Sequence, residues 1–107
     1  MKNGIIRLGS PDADELLFLP ENFSADSYLW KMGDAIMLSF IASSHPGHGA
    51  LRRLVKRIHA LGLDVKVPTP LGRMQDIVLR NGYEHTTEPH DQDPGELVEV
   101  WVWRARR

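Results

Sequence analysis

The run Ala35-Ile36-Met37-Leu38-Ser39-Phe40-Ile41-Ala42 constrains the fold more than any other segment, because nearly continuous apolar character marks a strand covered on both faces in the middle of a sheet. It leads into Ser43-Ser44-His45-Pro46-Gly47-His48-Gly49-Ala50. Apolar residues then recur at Leu51, Leu54, Val55, Ile58 and Leu61, the spacing of one helical face, and Gly62 closes that helix. A strand, a glycine loop and an amphipathic helix thus follow one another over residues 36–63.

This order has a chemical consequence. The first turn of a helix carries backbone N–H groups without intrahelical partners, and the helix dipole favours negative charge there. An anion site results. Gly47 and Gly49 have no Cβ, so the chain can bend sharply and a phosphate can approach the amides closely. Arg52 and Arg53 stand in the first turn, suited to a charge-assisted contact with a second phosphate, and with Lys56 and Arg57 they form a basic face. Glycines after a strand also occur in turns that bind nothing, and a charge cluster alone is usually solvated surface. The succession of parts is what favours a phosphate-bearing ligand.

The rest of the chain supplies a frame for this unit. A short strand is expected over residues 5–8, ended by Gly9-Ser10-Pro11-Asp12. Residues 12–18 fit strand or helix, with strand preferred, and Pro20 ends the segment. Residues 27–32 and 35–42 flank Gly33-Asp34 as an antiparallel hairpin. A short strand over 64–67, a turn at Pro68-Thr69-Pro70 and a helix over 71–80 with Leu71, Met74, Ile77 and Val78 inward come next. Asn81-Gly82 caps that helix, a strand is expected over 83–87, a polar loop over 90–95 and a final strand over 97–103.

At 107 residues, with 42% apolar and 25% charged side chains, the chain suits one compact domain, 1–107, that buries roughly two-thirds of its unfolded surface. It has no cysteine, which excludes disulfides, thiolate zinc sites and thiol nucleophiles, and a reducing, cytoplasmic setting fits best. No stretch has the length of a signal peptide's apolar region or of a membrane span, so no membrane partner is expected. With 13 basic and 14 acidic residues the overall field does not attract a polyanion. Nucleic-acid binding through Arg52, Arg53, Lys56, Arg57 and the Arg104-Ala105-Arg106-Arg107 tail is therefore disfavoured, and the tail reads as frayed and solvated.

Residues 35–84 resemble the GNAT family of N-acyltransferases, which bind acyl-CoA in a strand-loop-helix unit. The family's loop motif is Arg or Gln, two variable residues, Gly, a variable residue, then Gly or Ala. Here Ser44-His45-Pro46-Gly47-His48-Gly49 occupies it, with both small positions filled and Ser44 in the first place. Beyond it, residues 50–63, 64–67 and 71–80 look like the family's next helix, strand and helix, and Asn81-Gly82-Tyr83 looks like its closing Leu-Gly-Phe. The resemblance implies an α/β (α+β) fold: a mixed, mostly antiparallel central sheet with helices on both faces. Much of the usual N-terminal helical pair is missing, since too little sequence precedes Tyr28.

It further implies acetyl-CoA as co-substrate, no metal, and acetyl transfer to an amine of a small molecule or peptide. The cofactor would be held by Ile41, Ala42 and Ser43, whose backbone pairs with the pantetheine arm, and by the loop and helix start, His45, Pro46, Gly47, His48, Gly49, Ala50, Leu51 and Arg52. The amine would attack the thioester once a base had taken its proton, with a strand N–H polarising the carbonyl. Tyr83 and His85 are the candidate acid or base near the cleft, although Tyr83 also suits the family's core phenylalanine and His85 an exposed strand position. Glu84 reads as a solvated carboxylate.

A second reading is a catalytically inactive GNAT-like module that works through protein contacts. It draws on Val78, which stands where many members carry the tyrosine that protonates the leaving thiolate. Trp101 and Trp103 alternate with Val100 and Val102, as core packing, as a partner patch, or as a homo-oligomer contact through the C-terminal strand. His45, His48, His85 and His90 lack metal-ligand spacing, and His59 reads as exposed on the outer side of its helix.

Overall fold

The computed structural model describes residues 1–45, 48–68, 73–89 and 95–105. Strands β1 (Gly4–Arg7), β2 (Tyr28–Met32) and β3 (Ala35–Phe40) form an antiparallel meander, and the expected hairpin turns at Gly33-Asp34 with Met32 opposite Ala35. The chain order is β1, α1 (Pro11–Glu15), β2, β3, α2 (Ala50–Ala60), β4 (Asp64–Pro68), α3 (Arg73–Arg80), β5 (Glu84–Pro89) and β6 (Leu97–Trp103). Helix α2 is the crossover that lets β4 lie parallel to β3. Strand β6 then inserts antiparallel between β4 and β5, giving the sheet order β1-β2-β3-β4-β6-β5. The fold is α+β with a mixed, mostly antiparallel sheet, the class expected from the sequence.

Register decides where the core lies. Pairing places Ile6, Leu29, Ile36, Leu38, Val65 and Val67 on one face of the sheet, and these are the sheet residues of the main hydrophobic cluster. The same cluster takes in Ala13 of α1, Leu54, Val55 and Ile58 of α2, and Val78 of α3. All three helices therefore cover a single face, where the resemblance implied helices on both. This also corrects the expectation for β3. Its Ile36 and Leu38 are buried, but Met37 and Ser39 are only half-buried and Phe40 is exposed, because no helix among the described residues covers their side.

The segment before β2 departs furthest from expectation. The sequence favours a strand over residues 12–18, yet Pro11–Glu15 is helical, and the reason lies at its start. The Ser10 hydroxyl accepts a hydrogen bond from the Ala13 amide at 3.2 Å, Pro11 has its φ fixed for the first helical position, and Asp12 and Asp14 complement the dipole. The helix ends through Leu17 at φ 63°, which turns Leu16 and Phe18 inward and leaves Leu17 exposed. Phe18 stacks on Phe23 with ring centroids 5.1 Å apart.

The start of the C-terminal tail is also better ordered than expected. The Arg104 guanidinium donates to Glu84 at 3.0 Å, and the Ala105 amide donates to the buried Asp64 carboxylate at 2.8 Å. Leu71, His90 and residues 106–107 lie outside the described residues. Among the described residues no helix is long and apolar enough to cross a membrane.

Candidate functional site

The site grows from the point where β3 and β4 part. Their parallel pairing runs from Ala35 and Asp64 to Met37 and Lys66, after which β4 pairs only with β6. On the diverging end of β3, Ser43 bridges Phe23, flanked by the bonds from the Ser24 amide to the Ala42 carbonyl and from the Ser44 amide to the Asn22 carbonyl, at 2.8 and 2.9 Å. The Ala42 amide is also taken, by the Ser27 hydroxyl at 3.1 Å. Backbone groups alternate sides along an extended chain, so those of Ile41 and Ser43 point the other way, towards the gap that β4 has left. Of the three residues expected to pair with a ligand arm, Ala42 has its backbone occupied by the protein.

Pro46 and Gly47 of the glycine loop lie outside the described residues. The visible end of the loop is ordered by the chain itself: the His48 amide donates to the His45 carbonyl at 3.3 Å, and the two rings meet edge-on at 5.9 Å. Gly49 then caps α2 at φ 78°, a conformation that side chains with a Cβ resist. The first intrahelical bond runs from the Arg53 amide to the Gly49 carbonyl at 3.0 Å, which leaves the amides of Ala50, Leu51 and Arg52 in the first turn without an intrahelical acceptor among the described residues.

The basic face of α2 divides by task. Arg53 donates to the His48 carbonyl at 2.9 Å and Arg57 to the Glu15 carbonyl at 2.8 Å, so these two strap the loop and α1 to the helix. Arg52 and Lys56 instead line a groove of about 950 Å³ between α2 and α3. Gly49, Arg52, Lys56 and His59 form one stripe along it from the cap of α2 onward, at helical spacings of three and four residues, facing Met74 and Ile77 of α3 and Asn81 just after it. Ile41, Ala42 and Ser43 close one end, and Tyr83 with Trp103 lies towards the other. The groove is mainly apolar, with Arg52 in the first turn of α2 and Lys56 one turn further along, and its volume is at the upper end of ordinary small-molecule sites.

The two candidate acid–base residues are separated. Tyr83 lines the groove, packs against Trp103 at 5.1 Å and is only 6% exposed; burial pushes its phenol well above the usual range, so the hydroxyl keeps its proton and is unsuited to act as a base. His85 is not among the groove's lining. It stacks on Trp101 at 4.8 Å and lies 3.6 Å from Glu99, on the exposed stretch of β5. His45 and His48 are likewise outside the lining, and no cluster of three metal-ligating side chains occurs among the described residues.

His59 corrects the sequence reading most directly. Expected on the exposed outer side of α2, it is half-buried, lines the groove, bonds to the Trp103 carbonyl at 2.9 Å and meets the indole edge-on at 5.1 Å. The signal was present, since Arg52, Lys56 and His59 share a stripe with Gly49, but nothing in the sequence told which flank of α2 would meet α3. Met74, Ile77, Asn81 and Trp103 were missed as lining residues for the same reason. A smaller hollow of about 270 Å³ lies on the opposite sheet face among Asp34, Asp64, Lys66, Glu88 and Arg104.

Comparison with protein-family models, with curated proteins and with solved structures yields no match.

Proposed function

We propose that the groove between α2 and α3 binds an acyl-CoA, and that the protein is an N-acyltransferase moving an acetyl group to an amine. The observation that supports this best is the groove itself. Main-chain amides and the Arg52 cation stand at the start of α2, with Lys56 one turn further along, suited to a diphosphate, and the remainder is an apolar channel past Val55 and Met74, suited to a slender arm. The outward backbone of Ile41 and Ser43 offers that arm strand-like hydrogen bonds. The succession strand, glycine loop, helix, strand, helix is that of the GNAT resemblance, and a cytoplasmic location accords with a cysteine-free chain.

Acetyl-CoA is expected to raise the melting temperature in proportion to the logarithm of its concentration, and charge reversal at Arg52 and Lys56 together is expected to remove the shift. Thiol release from acetyl-CoA with a mixture of amines tests transfer. No thermal shift at millimolar acetyl-CoA counts against the reading.

One observation favours a second reading, a module that binds the ligand without turning it over. Val78, at the position of the family's thiolate-protonating tyrosine, is fully buried and has no proton to give. A thermal shift with no thiol release distinguishes this reading from the first.

A further inference from the structure

The geometry points to His59 as the proton acceptor of this groove, an inference that rests on the acyltransferase reading and names the group that prepares its amine. The ring's Nε2 lies 2.9 Å from the Trp103 carbonyl oxygen. A carbonyl oxygen can only accept, so Nε2 must carry the hydrogen, and in the neutral ring the lone pair is then on Nδ1. The edge-on contact with the Trp103 indole, at 5.1 Å and 82°, holds the ring plane. Nδ1 has no hydrogen-bond partner among the described residues, and it is not sealed in the core, because among them no buried side-chain nitrogen or oxygen lacks a partner. A residue that lines the groove thus offers it an oriented, unprotonated nitrogen.

Every other titratable group that lines the groove among the described residues is unsuited to the task. Arg52 and Lys56, on the same helix, have no acceptor atom when charged, and Tyr83 holds its proton; the lining Met74 and Ile77 of α3 and Asn81 just after it are uncharged, and β6 presents the indole of Trp103. An amine reaches a protein mainly as its ammonium ion, which has no lone pair with which to attack a thioester. Transfer of one proton from R–NH₃⁺ to Nδ1 gives R–NH₂ and the imidazolium, while Nε2–H remains on the Trp103 carbonyl. The amine nitrogen then forms the C–N bond as the C–S bond breaks, and its surplus proton goes to the departing sulfur, leaving amide and thiol. The imidazolium returns its proton to solvent. An imidazole is the side chain best able to exchange a proton in this way near neutral pH.

The test reads the ring and the ligand separately, on the full chain. In long-range proton–nitrogen NMR, neutral His59 is expected as the Nε2–H tautomer; the Nδ1–H tautomer overturns the assignment. Diethyl pyrocarbonate followed by peptide mapping is expected to modify His59 in the free protein. An unreactive His59 in the free protein overturns the proposal. With an amine acceptor, His59→Gln is expected to lower kcat by about 10²-fold and to abolish the acid limb of the kcat/KM profile, with the thermal shift from acetyl-CoA retained. If acetyl-CoA does not bind at all, the acyltransferase reading is what fails, and the tautomer and the ring's reactivity still judge His59 as the proton acceptor.

Discussion

The two faces of the sheet are closed in different ways. One is covered by helices, and Phe18, Leu29, Ile36, Leu54, Ile58 and Val65 are fully buried beneath them. The other has no helix among the described residues. There Ile5 and Trp30 remain 42% and 38% exposed, and Val100 and Val102 are buried on a face where the Lys66–Glu88 pair, at 2.9 Å, reaches from β4 to β5 across β6. The difference teaches where a site can arise. Cover made of separate helices has seams, and the groove is the seam between α2 and α3, whereas on the face covered by side chains the described residues form a small polar hollow.

The largest expected effect tests whether the helix-covered face carries the stability. Phe18→Ala should cost about 3–5 kcal/mol, read as a lowered urea midpoint with unchanged slope. Trp30→Ala on the open face should cost under about 1 kcal/mol. Equal losses would break the comparison.

Alkaline pH sharpens it next, through Tyr83. Its folded pKa is raised by burial, so the contribution is fully present below the unfolded phenol value near 10 and is lost as pH rises above it, by up to about 1.4 kcal/mol per unit. Melting curves between pH 8 and 11 should show that loss, and Tyr83→Phe should flatten it.

At the mouth of the seam, Gly49→Ala should destabilise by about 1 kcal/mol, since φ is 78° and the added Cβ would meet Arg53 Nη1 at 3.3 Å. Thermal unfolding measures it, and acetyl-CoA should bind this variant more weakly. The smallest effect is expected on the open face: Lys66→Met should change stability by under about 1 kcal/mol, because the pair is partly solvated and the methionine keeps the apolar stem over β6. A loss of several kcal/mol would mean that this face depends on its ion pair as the other depends on its helices.

The sequence made the central unit legible because its signals are local. The hairpin at Gly33-Asp34 and the inward Leu54, Val55 and Ile58 follow from turn chemistry and periodicity within a few residues. Helix α1 was equally local, written in Ser10, Pro11 and Asp12, but the apolar run from Leu16 to Leu19 masked it. What could not be read was long-range. Which side of β3 would be covered, and which flank of α2 would face α3, depend on how elements far apart in sequence pack. His59 shows the consequence, because its partner Trp103 lies 44 residues away.

Strand β6 has both of its edges occupied, by β4 and by β5, and β5 meets the sheet nowhere else. During synthesis, then, β5 emerges before the only neighbour that can receive it. The β1-to-β4 part can assemble as it appears, while β5 waits with its backbone groups unpaired until Trp103 and the residues before it arrive. Tyr83 and Trp103, which together line one end of the groove, can meet only at that late moment, so the ability to hold a ligand is expected to be among the last properties the nascent chain acquires.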